Sequence, residues 1–272
     1  MWAPTLRRFS RNNRYVPHNH ESMRTFKLTL EYDGSKYSGW QAQINARSVQ
    51  GELQSAADEL FGVEVDVQGA GRTDAGVHAV GQVAHLKVRT LRGELSPPRI
   101  LRELNDRLPS SIAIIDCVEA PPRFHARHDA VSRAYFYQIS TRKAALSKRF
   151  VWWVKKPLDV ARMQEAAALI PGRHNFVCFR AADPSRPGES TTVVVESAEV
   201  AVDDHLIVFR IEASHFVWKM VRRLTGVLVK IGLGEVSVEQ FKGLLAGRKD
   251  PSLDVAAWTA PASGLFLESV RY

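Results

Sequence analysis

Apolar and polar residues alternate through Phe26-Lys-Leu-Thr-Leu-Glu-Tyr32, the period of a strand with one buried face. Asp33-Gly34 then turns the chain. From Val49 the period lengthens: Val49, Leu53, Ala56, Ala57, Leu60 and Phe61 recur at helical spacing behind Ser48, a ready N-cap, and Gly62 marks the end. Strand patterns at 63–67 and 83–88, a helix around 100–108 and a strand over 112–118 follow. The first half therefore runs strand, helix, strand, strand, helix, strand.

Pro121-Pro122 interrupts the chain, and similar content resumes. A strand is predicted over 134–139, then a helix over 160–169 capped by Asp159 and stopped by Pro171-Gly172. Residues 192–202 and 206–213 form a hairpin around Asp203-Asp204. It feeds directly into a helix over 216–231, with Val217, Met220, Val221, Leu224, Leu228 and Ile231 on one stripe. Ser237 opens a helix through Leu245, and a last strand covers 265–270. This order predicts an α+β fold of two similar α/β halves whose mainly antiparallel sheets are shared or abut. The expected units are a flexible basic arm over 1–24, an N-terminal half over 25–122 and a C-terminal half over 123–272. No internal sequence repeat accompanies the two halves.

With 272 residues, 45% of them hydrophobic and 24% charged, the chain can bury a large core and is not a disordered one. The formal net charge of +8 favours a polyanionic partner, nucleic acid first. Met1 to Arg24 supplies five arginines and one glutamate. A second concentration, Lys219, Arg222, Arg223 and Lys230, lies in an apolar stretch without acids. Cys117 and Cys178 form no Cys-x-x-Cys pair, so neither a disulfide framework nor a cysteine zinc site is expected, in keeping with a cytoplasmic location. His125-x-x-His128 lacks a third nearby ligand, so no metal is expected. Apolar runs fall far short of the roughly 20 residues that span a bilayer, and no membrane association is expected.

The least ordinary segment is Gly69-Ala-Gly-Arg-Thr-Asp-Ala-Gly-Val-His78, three glycines around an arginine, an aspartate and a histidine between strand patterns. Glycines allow tight turns and close backbone approach, which could present Asp74 at the floor of a cleft with Arg72 beside it. Composition alone favours an ordinary aspartate turn. A phosphate loop does not: no Gly-Lys-Ser/Thr ends the run and no complete Gly-x-Gly-x-x-Gly opens a helix.

The run Gly71-Arg-Thr-Asp-Ala-Gly-Val-His-Ala resembles the signature of the tRNA pseudouridine synthase A family. Other segments agree in family order: Glu31-Tyr-Asp-Gly-Ser-Lys-Tyr, Gly39-Trp-Gln, Arg47-Ser-Val-Gln, Gly81-Gln-Val-Ala-His, Phe124-His-Ala-Arg, Tyr135-x-Tyr137, Phe179-Arg-Ala, Met220-Val-Arg222 and Gly264-Leu-Phe-Leu. The resemblance runs from about Phe26 to Tyr272 and implies the pseudouridine synthase fold, with the halves meeting at a central cleft. It implies isomerisation of uridine to pseudouridine in the anticodon stem-loop of tRNA, at positions 38, 39 and 40, by a homodimer without metal or cofactor.

Family roles carry over residue by residue. Asp74 matches the nucleophile, which adds to the uracil ring or to ribose C1′ and must be ionised to do so. Arg222 matches the arginine paired with it. Tyr135 matches the tyrosine that stacks on the target base, its hydroxyl a candidate for assisting loss of the C5 proton. Arg72 matches the residue that fills the space left by the extruded uridine, and Leu265 the apolar residue lining the uracil pocket. Lys36, Lys219 and Arg223 are candidate contacts to RNA phosphates, beside the arginine arm. Tyr137 is assigned to packing, and His78 to holding a turn. The arm and the Pro- and Gly-rich segment 181–190 depart from the family pattern and bear on fine specificity. Two other functions fit the resemblance less well: a non-catalytic tRNA-binding or folding protein, which predicts a broken constellation, and a synthase acting on other RNA uridines.

Overall fold

A computed structural model describes residues 23–89, 96–182, 188 and 190–272. The basic arm up to residue 22 and most of the segment 181–190 lie outside the described residues.

Ten strands form one sheet. In chain order they are β1 (Met23–Tyr32), β2 (Asp66–Gly69), β3 (His78–Arg89), β4 (Ile112–Ala120), β5 (Ser132–Ser140), β6 (Trp152–Trp153), β7 (Gly172–Asn175), β8 (Thr192–Asp203), β9 (Leu206–Ala213) and β10 (Leu265–Arg271). Five helices accompany them: α1 (Val49–Phe61), α2 (Pro97–Arg107), α3 (Val160–Ala167), α4 (Met220–Gly232) and α5 (Val238–Leu245). The spatial order is β4-β1-β3-β10-β5-β9-β8-β7, with β2 beside β3 and β6 beside β5. The expected α+β architecture holds, and the two mainly antiparallel halves share one sheet. The last strand is the seam: β10 runs parallel to β3 on one side and antiparallel to β5 on the other.

Alternation dictates the layers. Phe26, Leu28, Leu30 and Tyr32 of β1 and Ile207, Phe209, Ile211 and Ala213 of β9 point to the buried face. That face meets the helices through residues such as Leu53, Ile100, Met163, Leu224 and Phe241. The opposite face is mixed, with Arg210 paired to Glu268 at 2.7 Å and Phe136 stacked on Phe266 at 4.8 Å.

Helix ends follow local chemistry. Ser48 accepts from the Gly51 amide, Asp159 from that of Arg162, and Ser237 forms a capping box with Gln240. Gly62 closes α1 in the left-handed conformation at φ 67°.

Several elements differ from expectation. β1 begins at Met23, inside the segment read as arm, because Arg24 pairs with Glu119 at 2.9 Å. β2 forms three residues later than the predicted 63–67, where its residues pair with β3. Two short strands, β6 and β7, carry no alternation that would announce them. The helix predicted over 216–231 starts at Met220, because Lys219 takes a left-handed φ of 63° and the preceding residues turn toward the loop between β2 and β3. The hairpin therefore does not feed directly into a helix.

Candidate active site

The loop joining β2 to β3 is held from several sides before Asp74 is placed. Gln82 donates to the Gly71 carbonyl at 3.0 Å, and the buried Tyr32 hydroxyl lies 2.8 Å from Thr73 Oγ1. The Trp40 amide donates to the Thr73 carbonyl at 3.0 Å and the Gly76 amide to that of Tyr37 at 3.3 Å. Gly39, at φ 97°, makes this approach possible: a Cβ there would sit 2.6 Å from the Thr73 carbonyl oxygen. Asp74 then opens a turn closed by a 3.1 Å bond from the Val77 amide to its carbonyl, with Gly76 at φ 78° in the third position, the type II pattern.

His78 anchors the far end of the loop. Its ring is buried, stacked on Phe266 at 4.7 Å and set edge-on to Phe150 at 5.0 Å. Nδ1 accepts from the Gly34 amide at 3.1 Å, which leaves the proton on Nε2 to donate to the Arg149 carbonyl at 3.0 Å. Burial holds this imidazole below the usual histidine range, against the pull of Asp33. His78 is thus a neutral support of the turn rather than an acid or base.

Asp74 is held at both oxygens. Oδ2 accepts from Arg222 Nη1 at 3.1 Å, and Oδ1 from the indole Nε1 of Trp218 at 3.0 Å. Arg222, in the first turn of α4, also donates from Nε to the Ala260 carbonyl at 2.7 Å, so its guanidinium is oriented from behind. The pair is partly desolvated, with 26% of the Asp74 side chain and 16% of that of Arg222 exposed. The carboxylate sits in a cleft of about 950 Å³ lined also by Arg72, Tyr135, Phe216, Lys219 and Leu265. Tyr135 stands edge-on to Phe216 at 5.0 Å, and burial raises its phenol well above the usual tyrosine range. A neutral ring beside a fixed carboxylate can stack on a flat base and donate a hydrogen bond, but offers no resting phenolate.

The cleft thus unites Asp74, Arg222, Tyr135, Arg72 and Leu265, which the sequence separates by up to 193 positions. Arg72 is at its mouth, where its Nε donates to Gln41 at 3.0 Å. Lys219 lines the cleft with its ammonium over the Trp218 ring at 5.1 Å. Arg223 and Lys36 do not line it: Arg223 hydrogen-bonds the Arg180 carbonyl, and Lys36 sits in a short 3-10 turn on the far side of His78. Tyr137 is fully buried and donates to the Pro261 carbonyl at 2.7 Å, as its packing assignment requires. His125 and His128 approach to 4.2 Å, and among the described residues no group of three metal-ligating side chains forms.

Two residues of the site escape sequence reasoning. Trp218 lies within the helix predicted over 216–231, and only tertiary packing turns its N–H to Asp74. Arg133 spans four carbonyls, those of Ala70, Arg127, Ala130 and Ser214, and so ties the loop that carries Asp74 to the wall of the cleft. Its signal was present: two positions before Tyr135 on one strand, it shares that residue's face.

A partly buried aspartate braced by an arginine, beside a neutral tyrosine at the middle strands of one mixed sheet, makes a site that can hold a flat base against a carboxylate, as an enzyme of the pseudouridine synthase class requires. The comparisons specify it further. A family model described as tRNA pseudouridine synthase matches residues 29–129 and 166–272. Proteins named tRNA pseudouridine synthase A are 41% identical over 255 residues in Moorella thermoacetica, 40% over 252 in Pelobacter propionicus and 38% over 258 in Sinorhizobium fredii, each alignment covering 92% of this chain and 100% of the relative. A solved Cbf5-Nop10-Gar1 complex aligns with 75% of this chain and 53% of its own at 13% identity and a TM-score of 0.27, too weak a likeness to bear on the site. The chain belongs to the tRNA pseudouridine synthase family, isomerases of uridine in tRNA.

Proposed function

We propose that this chain converts uridine to pseudouridine at positions 38, 39 and 40 of the tRNA anticodon stem-loop, with Asp74 as nucleophile. The reading rests on one observation: a carboxylate fixed at both oxygens, by Arg222 at 3.1 Å and Trp218 at 3.0 Å, on the floor of a cleft walled by Tyr135 and Leu265. A uridine reaches this floor only when extruded from the RNA stack, at a cost of a few kcal/mol. Arg72, exposed at the mouth, takes the vacated place. Asp74 attacks ribose C1′ or the uracil ring, and the bond from N1 to C1′ breaks. The detached base turns against Tyr135, C5 bonds to C1′, C5 loses its proton, N1 gains one, and the aspartate is released unchanged. No net redox change or co-reactant is involved. Arg222 holds the carboxylate aimed; Tyr135 stacks.

The enzyme acts in the cytoplasm as a homodimer, each chain built from an N-terminal unit that opens with β1 and runs to 122 and a C-terminal unit over 123–272. Tritium release from C5-labelled uridine in an unmodified tRNA transcript tests the chemistry. Wild type is expected to release it and Asp74→Asn to release none while still binding RNA. Turnover retained by that variant removes Asp74 from the reaction.

A further inference from the structure

Between β5 and α3 the chain reads Thr-Arg-Lys-Ala-Ala-Leu-Ser-Lys-Arg-Phe-Val-Trp-Trp-Val-Lys-Lys, residues 141–156, with six cations and no acid. The whole chain's charge is +8, of which Met1 to Arg24 holds +4 and this segment +6, so all other residues together stand at −2. The structure lays these cations on an anchored surface. The Thr141 amide donates to the His205 carbonyl at 2.9 Å, and the Val154 amide closes the segment onto Ser140 at 3.0 Å. β6 pairs with the end of β5, and Phe150 is held against His78 and Phe266.

Arg142, Lys143, Lys148, Arg149, Lys155 and Lys156 are all exposed. Arg149 faces Asp33 at 3.4 Å and Lys156 faces Glu235 at 3.6 Å, while Arg142 feels Asp204. No ion pair joins Lys143, Lys148 or Lys155 to an acid among the described residues. Lys155 lies 5.3 Å over the ring of Trp153, itself 38% exposed. Lys36 extends the patch from the turn beside Asp33.

We infer that this surface is a second binding site for RNA, holding backbone phosphates of the substrate away from the reacting uridine. The inference rests on the reading of tRNA as substrate. Its position favours one RNA over two. His78 is four residues from Asp74, hence at most about 14 Å in extended chain, and its Nε2 bonds the Arg149 carbonyl inside the patch. An anchored backbone leaves only side chains to order on meeting a polyanion, and each phosphate neutralised releases counterions. A two-fold contact between copies of this surface would set like charges against each other.

The test compares wild type with Arg142→Gln/Lys143→Gln/Lys148→Gln/Lys155→Gln, four exposed positions, in filter binding of an unmodified tRNA transcript between about 50 and 200 mM salt. At about 0.7–0.9 of slope per phosphate, the log–log salt dependence of the variant should be shallower by roughly 3, so wild type loses roughly 60-fold more affinity across that range. Lys242→Gln, on α5, should match wild type. Parallel slopes for wild type and the fourfold variant overturn the inference, and parallel slopes with altered sedimentation assign the surface to contacts between protein copies instead. Because slopes are read without turnover, failure of tritium release would count against the catalytic reading alone.

Discussion

Replacing Arg222 by lysine separates charge from geometry at the Asp74 carboxylate, the proposed nucleophile. The guanidinium reaches Asp74 at 3.1 Å and the Ala260 carbonyl at 2.7 Å simultaneously, a fork that one ammonium cannot reproduce. A hydrogen bond to a charged group contributes about 1.5–3 kcal/mol. Lysine keeps the charge, so the loss should fall in the lower half of that range, about 1.5–2 kcal/mol, or roughly 10–30-fold in rate. Glutamine removes the charge as well and leaves a carboxylate that is only 26% exposed without its cation. Breaking a buried pair costs about 3–5 kcal/mol, and the partial exposure here brings the expected total to about 3 kcal/mol, some hundredfold or more. Single-turnover tritium release at saturating tRNA measures both, with binding followed separately so that positioning is not confused with affinity. The reasoning fails if lysine stays within about threefold of wild type, or if glutamine is no worse than lysine.

Trp218→Phe keeps the aromatic ring but removes the donor to Asp74; with the indole 41% exposed, about 1 kcal/mol is at stake, an expected loss of roughly fivefold in single-turnover rate. An unchanged rate would leave Trp218 no part in positioning the nucleophile. Gly39→Ala forces a side chain into φ 97° and 2.6 Å from the Thr73 carbonyl; chemical denaturation should show at least about 2 kcal/mol of lost stability, together with reduced turnover. Burial pushes Tyr32 up to about 12 and raises Tyr135 further, so the folded state binds more protons than an unfolded chain titrating near 10. Stability should therefore be full below about pH 10 and fall from there through about pH 12, by up to about 1.4 kcal/mol per pH unit for each tyrosine. Tyr32→Phe, although weaker at neutral pH because it forfeits the bonds to Thr73 and Gln82, should show the flatter alkaline decline.

Strands and helix starts were readable wherever a few neighbouring residues decide them. The alternation in β1 and β9, the Ser48, Asp159 and Ser237 caps and the Gly62 stop need only their own segment. The Gly71 to His78 run and its companion motifs pointed to the same chemistry before any geometry was known. What escaped was decided at long range. β7, with the sequence Gly-Arg-His-Asn, is a strand because β8 offers it a partner. The chain's last strand sits mid-sheet because both β3 and β5 present open edges. Trp218 falls outside the helix predicted over 216–231 because Lys219 turns left-handed, and its indole N–H donates a hydrogen bond to Asp74. The acid-free run 141–156 was legible as charge, but not as one anchored surface. Local periodicity and capping act over about one helical turn, whereas a catalytic site is assembled from side chains whose nearness exists only once the sheet has closed.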